Sequence, residues 1–166
     1  VDSINIHPFI ETVHEILNNM LGTGVKVGKA RLEVSGNHPP DIIGIIGLSG
    51  SAQGMVALRF PDKSAMAIVG QMVGVQFDQV DSSIVDGVGE LVNMVAGSAK
   101  GKFRGHNMSV SLPTVVRGDI CRLTNTVDAV WIEEPFESIL GNFWLIVSLK
   151  QTANTPQEVA REGAHR

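Results

Sequence analysis

Two acids, a carboxamide and a glycine recur along one stretch of this chain at helical spacing: Asp86, Glu90, Asn93 and Gly97. A carboxylate can pair with a cation, a carboxamide can accept one hydrogen bond while donating another, and a glycine lets a second backbone come close. Placed on a helix at about 100° per residue with Ile84 as zero, these residues fall between roughly 180° and 240°. Val88, Leu91, Val92, Val95 and Ala99 fall within roughly 340° to 80°, the arc that faces a core. Asp81 or Ser82 can cap the start of this helix by accepting a backbone N–H bond, and the pattern runs to about Phe103, where Gly105 allows it to stop. Acids and amides on the outer side of a helix ordinarily just keep it wet. Spacing alone does not separate a site from a solvated face.

The remaining segments read as the scaffold for that helix. Residues 5 to 21 carry Phe9, Ile10, Val13, Ile16, Leu17, Met20 and Leu21 at helical spacing, with Pro8 in the first turn and Gly22 at the end. Residues 25 to 34 alternate as a half-exposed strand would, and His38 to Asp41 is a loop by its prolines. Residues 41 to 60 read as a hairpin turning around Ser49-Gly50-Ser51. Pro61-Asp62 opens a short helix over about 62 to 73, with Ala65, Met66, Ile68, Val69 and Met72 inward and Gly74 as its stop. Three strand-like runs follow, at 107 to 116, 122 to 132 and 143 to 149; Glu133-Glu134-Pro135 is expected to break the second, and Gly141-Asn142 to turn the chain before the third. The third is so apolar that it reads as a central or paired strand, since an exposed edge of that kind would aggregate. This order predicts an α/β (α+β) fold with helices packed on a largely antiparallel sheet. Residues 1–151 are expected to form a single domain, with 152–166 a polar tail.

Composition narrows the function. With 43% hydrophobic and 18% charged residues the chain is globular, and 166 residues suffice for a real core. A net charge of −4 with pI near 5.7 argues against nucleic-acid or anionic-membrane surfaces, which call for clustered Lys and Arg. A lone cysteine, Cys121, precludes an internal disulfide and reads as a buried small hydrophobe. There is neither a signal peptide nor a run of apolar residues long enough to span a bilayer, so the cytoplasm is the expected compartment and no membrane partner is expected. Glu11-x-x-His14 has the spacing of a metal-ligand pair, yet no second pair accompanies it, and no metal is expected. Gly47-x-Ser49-x-Ser51 lacks the last glycine of a nucleophile elbow, and neither Gly-Lys pair has phosphate-loop spacing.

Resemblance supplies what spacing cannot. Asp86-x3-Glu90-x2-Asn93 followed by Leu112-Pro113-Thr114-Val115-Val116-Arg117-Gly118 resembles the active-site motif of the CheC/CheX/FliY family of chemotaxis phosphatases, and most of all its CheX form, which has a single copy. The similarity extends to Ile45 through Gly54 and Gly89 through Gly97. Here 19 residues lie between Asn93 and Pro113, a shorter connection than the family pattern. The resemblance implies a CheC/CheX-like layer of helices on a sheet, and a protein substrate: a CheY-type receiver carrying an aspartyl phosphate and Mg²⁺, with no cofactor of the phosphatase's own. It implies that Asn93 orients the attacking water while Glu90 pairs with the receiver's lysine, making these the catalytic pair. Asp86 is expected to give polar support, Gly97 and Gly89 to let the partner's backbone approach, and Pro113 to stiffen the neighbouring loop. A homodimer is expected, with the strand at 143 to 149 as a candidate for sheet extension across its interface. The alternative is a non-catalytic receiver-binding or flagellar-switch-like interaction module.

Overall fold

The computed structural model describes residues 5–22, 24–32, 41–103, 107–118, 123 and 128–152. Three helices, α1 (His7–Leu21), α2 (Asp62–Val73) and α3 (Ser82–Lys102), accompany seven strands: β1 (Lys26–Val27), β2 (Asp41–Gly50), β3 (Ala52–Pro61), β4 (Met108–Val110), β5 (Thr114–Gly118), β6 (Trp131–Ser138) and β7 (Gly141–Gln151). The strands form one antiparallel sheet in the order β1-β6-β7-β3-β2-β4, and β5 pairs with β2 beyond β4. The expected class, helices on an antiparallel sheet, is what forms.

Alternation along the strands divides the sheet into two faces. Ile42, Ile46, Leu48, Val56, Leu58, Phe60, Phe143, Leu145 and Val147 join the apolar stripes of all three helices in the main core. On the opposite face Ile43, Ala57 and Ile146 are also fully buried, with Trp131, Trp144 and Leu123 packed against them. Burial on both faces explains why residues 42 to 46 read as a continuous apolar run. Arg59 lies buried on that second face with Glu133 and Asp41, its guanidinium 3.3 Å from Glu133 Oε2 and 3.7 Å from Asp41 Oδ2.

Helix ends follow local chemistry. The N–H of Gly22, in the left-handed conformation (φ 62°), donates to Asn18 O and closes α1, and Gly74 does the same for α2. Asp81 caps α3, accepting from the N–H groups of Ser83 at 2.9 Å and Ile84 at 3.2 Å. At the far end of α3, Lys102 reaches back to α1, 2.8 Å from Glu15 Oε2 and 3.6 Å from Glu11 Oε2. The hydrogen bond to Glu15 holds the Lys102 ammonium above the ordinary lysine range. α3 is thus anchored at both ends.

Several expectations need correction. Glu133-Glu134-Pro135 does not break a strand; β6 runs through it to Ser138. Arg59 neutralises Glu133, and Pro135 turns its missing N–H away from β7, toward the gap between β1 and the isolated Arg31–Glu133 bridge, where its carbonyl accepts from Gly28. The β6–β7 hairpin turns at Ile139-Leu140, so Gly141-Asn142 already belongs to β7. The run at 107 to 116 is two strands, interrupted at 111–113. Of the strand expected at 25 to 34, only Lys26–Val27 and the Arg31 bridge form among the described residues. β7 is paired on both sides, by β3 and β6, so it has no edge with which to extend a sheet into a second copy. The loop at 38 to 40, Gly105, Cys121, residues 122 and 124 to 127 of the run at 122 to 132, and the tail after Thr152 lie outside the described residues.

One strand carboxylate makes a pH prediction. Burial pushes the Glu134 carboxyl above the ordinary carboxylate range. A raised folded-state pKa means the folded chain holds this proton more tightly than the unfolded chain. The associated stability is complete below the ordinary value and is lost as pH rises through the raised one. Glu134→Gln should therefore raise Tm by a few degrees at pH 7, and thermal melts at pH 4 should show that gain shrinking toward nothing.

Candidate active site

α3 is placed by close approaches at three glycines, two of which leave no room for a side chain. At Gly44 of β2 a Cβ would come within 3.0–3.1 Å of Val92 Cγ1, Val88 Cγ1 and Val88 O, so the bare backbone lets the helix settle onto the sheet. At Gly87 a Cβ would run into the Val69 methyls, which sets α3 close against α2. At Gly89 it would stand 3.4 Å from Val115 Cγ2 and 3.9 Å from Pro113 Cγ. Gly89 is thus buried against this chain's own β5 and the residues before it, and does not lie open to a partner as expected. Gly44 and Gly87 were not anticipated as positioning residues. The signal was there: a glycine inside an apolar strand marks close backbone approach.

With its apolar arc so held, α3 turns Asp86, Glu90, Asn93 and Gly97 outward, and all of them are exposed. Glu90 and Asn93 are neighbours on that face, with about 5–6 Å between Cβ atoms at this spacing. The side chains of Asp86, Glu90 and Asn93 have no hydrogen-bond or ion-pair partner among the described residues. An acid and an amide stand side by side, exposed and unbonded by any other described side chain.

At Gly97 a Cβ would find nothing within 4 Å among the described residues, whose packing therefore does not call for glycine there. Pro113, half-buried, lies beside Gly89 at the flank of the same face. The face thus gathers all the residues singled out by spacing, with Pro113 at its border. Among the described residues no group of three or more His, Cys, Asp or Glu is arranged to hold a metal ion, and no helix is long and apolar enough to cross a membrane.

The family of chemotaxis phosphatase CheX matches residues 42–137, a span that runs from β2 into β6 and contains all of α3 and Pro113. The chain belongs to this family. A CheX relative from Thermotoga maritima, named CheY-P phosphatase CheX, is 29% identical over 121 residues, covering 71% of this chain and 78% of that protein. Among solved structures, a CheC-like superfamily protein from Shewanella sp. PV-4 is 29% identical with a TM-score of 0.79, over 89% of this chain and 99% of that one. The CheX fold recurs in the CheX–CheY–BeF₃–Mg²⁺ complex from Borrelia burgdorferi, at 18% identity and a TM-score of 0.77, over 88% and 97% of the two chains. The CheX family therefore accounts for the helix-on-sheet architecture.

Proposed function

We propose that this chain hydrolyses the aspartyl phosphate of a CheY-type receiver domain, with α3 as the face that meets it. The observation that carries the proposal is the pair Glu90 and Asn93, exposed and without a side-chain partner among the described residues, on a helix capped at its start and tied to α1 at its end, in a chain of the CheX family. An acyl phosphate already has a good leaving group. What its hydrolysis lacks is a water held in line with the breaking bond. The Asn93 carbonyl oxygen accepts from that water while its amide donates to a phosphoryl oxygen, so one side chain spans both ends of the attack line. Water oxygen bonds to phosphorus, the bond to the aspartyl oxygen breaks, the carboxylate leaves with the electron pair, and the water's proton goes to the phosphate released. The amide is not basic enough to take that proton itself. Glu90, one turn back, pairs with the receiver's lysine and sets the register. Asp86 supports the contact one turn further on.

Mg²⁺ belongs to the receiver in this scheme, in keeping with its presence in the Borrelia burgdorferi CheX–CheY–BeF₃ complex, and the phosphatase contributes no cofactor. The reading also includes a cytoplasmic location, residues 1–151 as the phosphatase unit and a homodimer, whose contact must use something other than β7. A monomer by light scattering at micromolar concentration would remove the dimer.

The testing experiment is the decay of a phosphorylated receiver from the same organism, with Mg²⁺ present, followed with and without this protein. Faster decay supports the reading. Binding without acceleration would assign the chain to the interaction-module class instead.

Gly97 offers a second check. A glycine inside an exposed helix costs about 1 kcal/mol relative to alanine, and packing gives no reason to bear that cost. Close approach of the receiver does. Gly97→Ala should raise Tm by about 2–4 °C while raising the KM for phosphorylated receiver. A more stable protein with an unchanged KM would argue against contact at this position.

A further inference from the structure

Leu112 is 88% exposed, directly before the Pro113 that lies beside Gly89 at the border of the Glu90–Asn93 face, and is held in place from both sides. On one side Ser111 is bound to Gly47 of β2 twice: its N–H donates to Gly47 O at 2.9 Å, and its Oγ accepts from the Gly47 N–H at 2.9 Å. The Ser111 hydroxyl then donates to the Leu112 carbonyl at 2.8 Å. On the other side Pro113, with its fixed φ, stands next to Gly89. A single exposed leucine ordinarily needs no explanation. This one is presented on a stiffened backbone, so little conformational freedom would be lost on covering it.

Its position says what would cover it. Gly89 precedes Glu90 directly and lies one helical turn before Asn93. An interface of ordinary size buries about 800 Å² on each partner, a disc of about 16 Å radius. A receiver centred on Asn93 must then spread over the turn of α3 that Pro113 touches, and Leu112 with it. We propose that Leu112 is an apolar docking contact for the phosphorylated receiver, a determinant of affinity and partner choice that does not take part in the chemistry. It rests on the phosphatase reading for the identity of the partner.

The test pairs kinetics with binding, using a CheY-type receiver from the same organism, phosphorylated for hydrolysis and beryllofluoride-activated for titration. Leu112→Ser should raise KM and Kd about tenfold, leave kcat within about twofold and leave Tm unchanged, while Leu112→Met should keep wild-type values. Unchanged KM and Kd in Leu112→Ser, or a loss that tracks a fall in Tm, would overturn the proposal. If wild type binds the receiver without hydrolysing it, the phosphatase reading fails and the Kd comparison still decides Leu112. If wild type does neither, both fall.

Discussion

Asn93→Ala should return the decay of a phosphorylated receiver to its unassisted rate, with a loss in kcat of about 100-fold or more, while the receiver still binds. The size follows from what the amide is asked to do. It contributes no nucleophile and takes no proton, so its whole effect lies in the geometry of one water and one phosphoryl oxygen, and alanine offers neither a donor nor an acceptor. Binding survives because the docking contacts are other residues: Glu90 with a lysine, Gly97 through close backbone approach, and the surface around them. The exposed position of Asn93 also means that the fold does not depend on it, so a folding defect cannot mimic the result. Single-turnover decay and a binding titration on the same protein separate the two quantities. Loss of affinity with a normal rate at saturation would recast Asn93 as a contact residue and remove the water-positioning role. Aspartate at the same position is a sharper variant. It keeps an acceptor for the water but sets a negative charge against the phosphoryl group, and the rate should fall as far as with alanine.

The face on α3 was legible in the sequence because helix periodicity acts over the whole element. Ile84, Val88, Leu91, Val92, Val95 and Ala99 form one buried arc, and the orientation of Asp86, Glu90 and Asn93 follows from it without any tertiary information. The cap was legible for the same reason, since Asp81 bonds to N–H groups two and three residues on. What could not be read were consequences of pairing between distant segments. β6 continues through Glu133-Glu134-Pro135 only because Arg59 lies 74 positions away in sequence and because the N–H missing at Pro135 falls on the side where the ladder is already interrupted. The apolar density of residues 143 to 149 correctly called for a central or paired strand, yet could not say that β3 and β6 would be its two neighbours. The roles of Gly44, Gly87 and Gly89 were hidden likewise, because each is defined by the atom opposite: Val92, Val69 and Val115.

Arg59→Ala should cost about 3–5 kcal/mol of folding stability, because it strands charge where water cannot reach. Arg59 is 2% exposed, Glu133 is fully buried and Asp41 nearly so, and the guanidinium lies within ion-pair distance of both carboxylates. Truncation leaves two acids facing a cavity in the sheet. Against a total stability of about 5–15 kcal/mol, that is a large fraction. Urea unfolding would show it as a fall in midpoint. The pair as a whole is a different matter from either half: a buried ion pair is expensive to desolvate, and replacing both partners by apolar groups is often neutral. Arg59→Met combined with Glu133→Leu should therefore recover much of what Arg59→Ala loses, with Asp41 left as the residual cost. The cluster is also on the opposite face of the sheet from α3, since Arg59 shares its side with Ala57 while Val56, Leu58 and Phe60 face the helices. The folded fraction of Arg59→Ala should accordingly keep its kcat on phosphorylated receiver, so that stability and catalysis, which Asn93→Ala separates in one direction, come apart in the other.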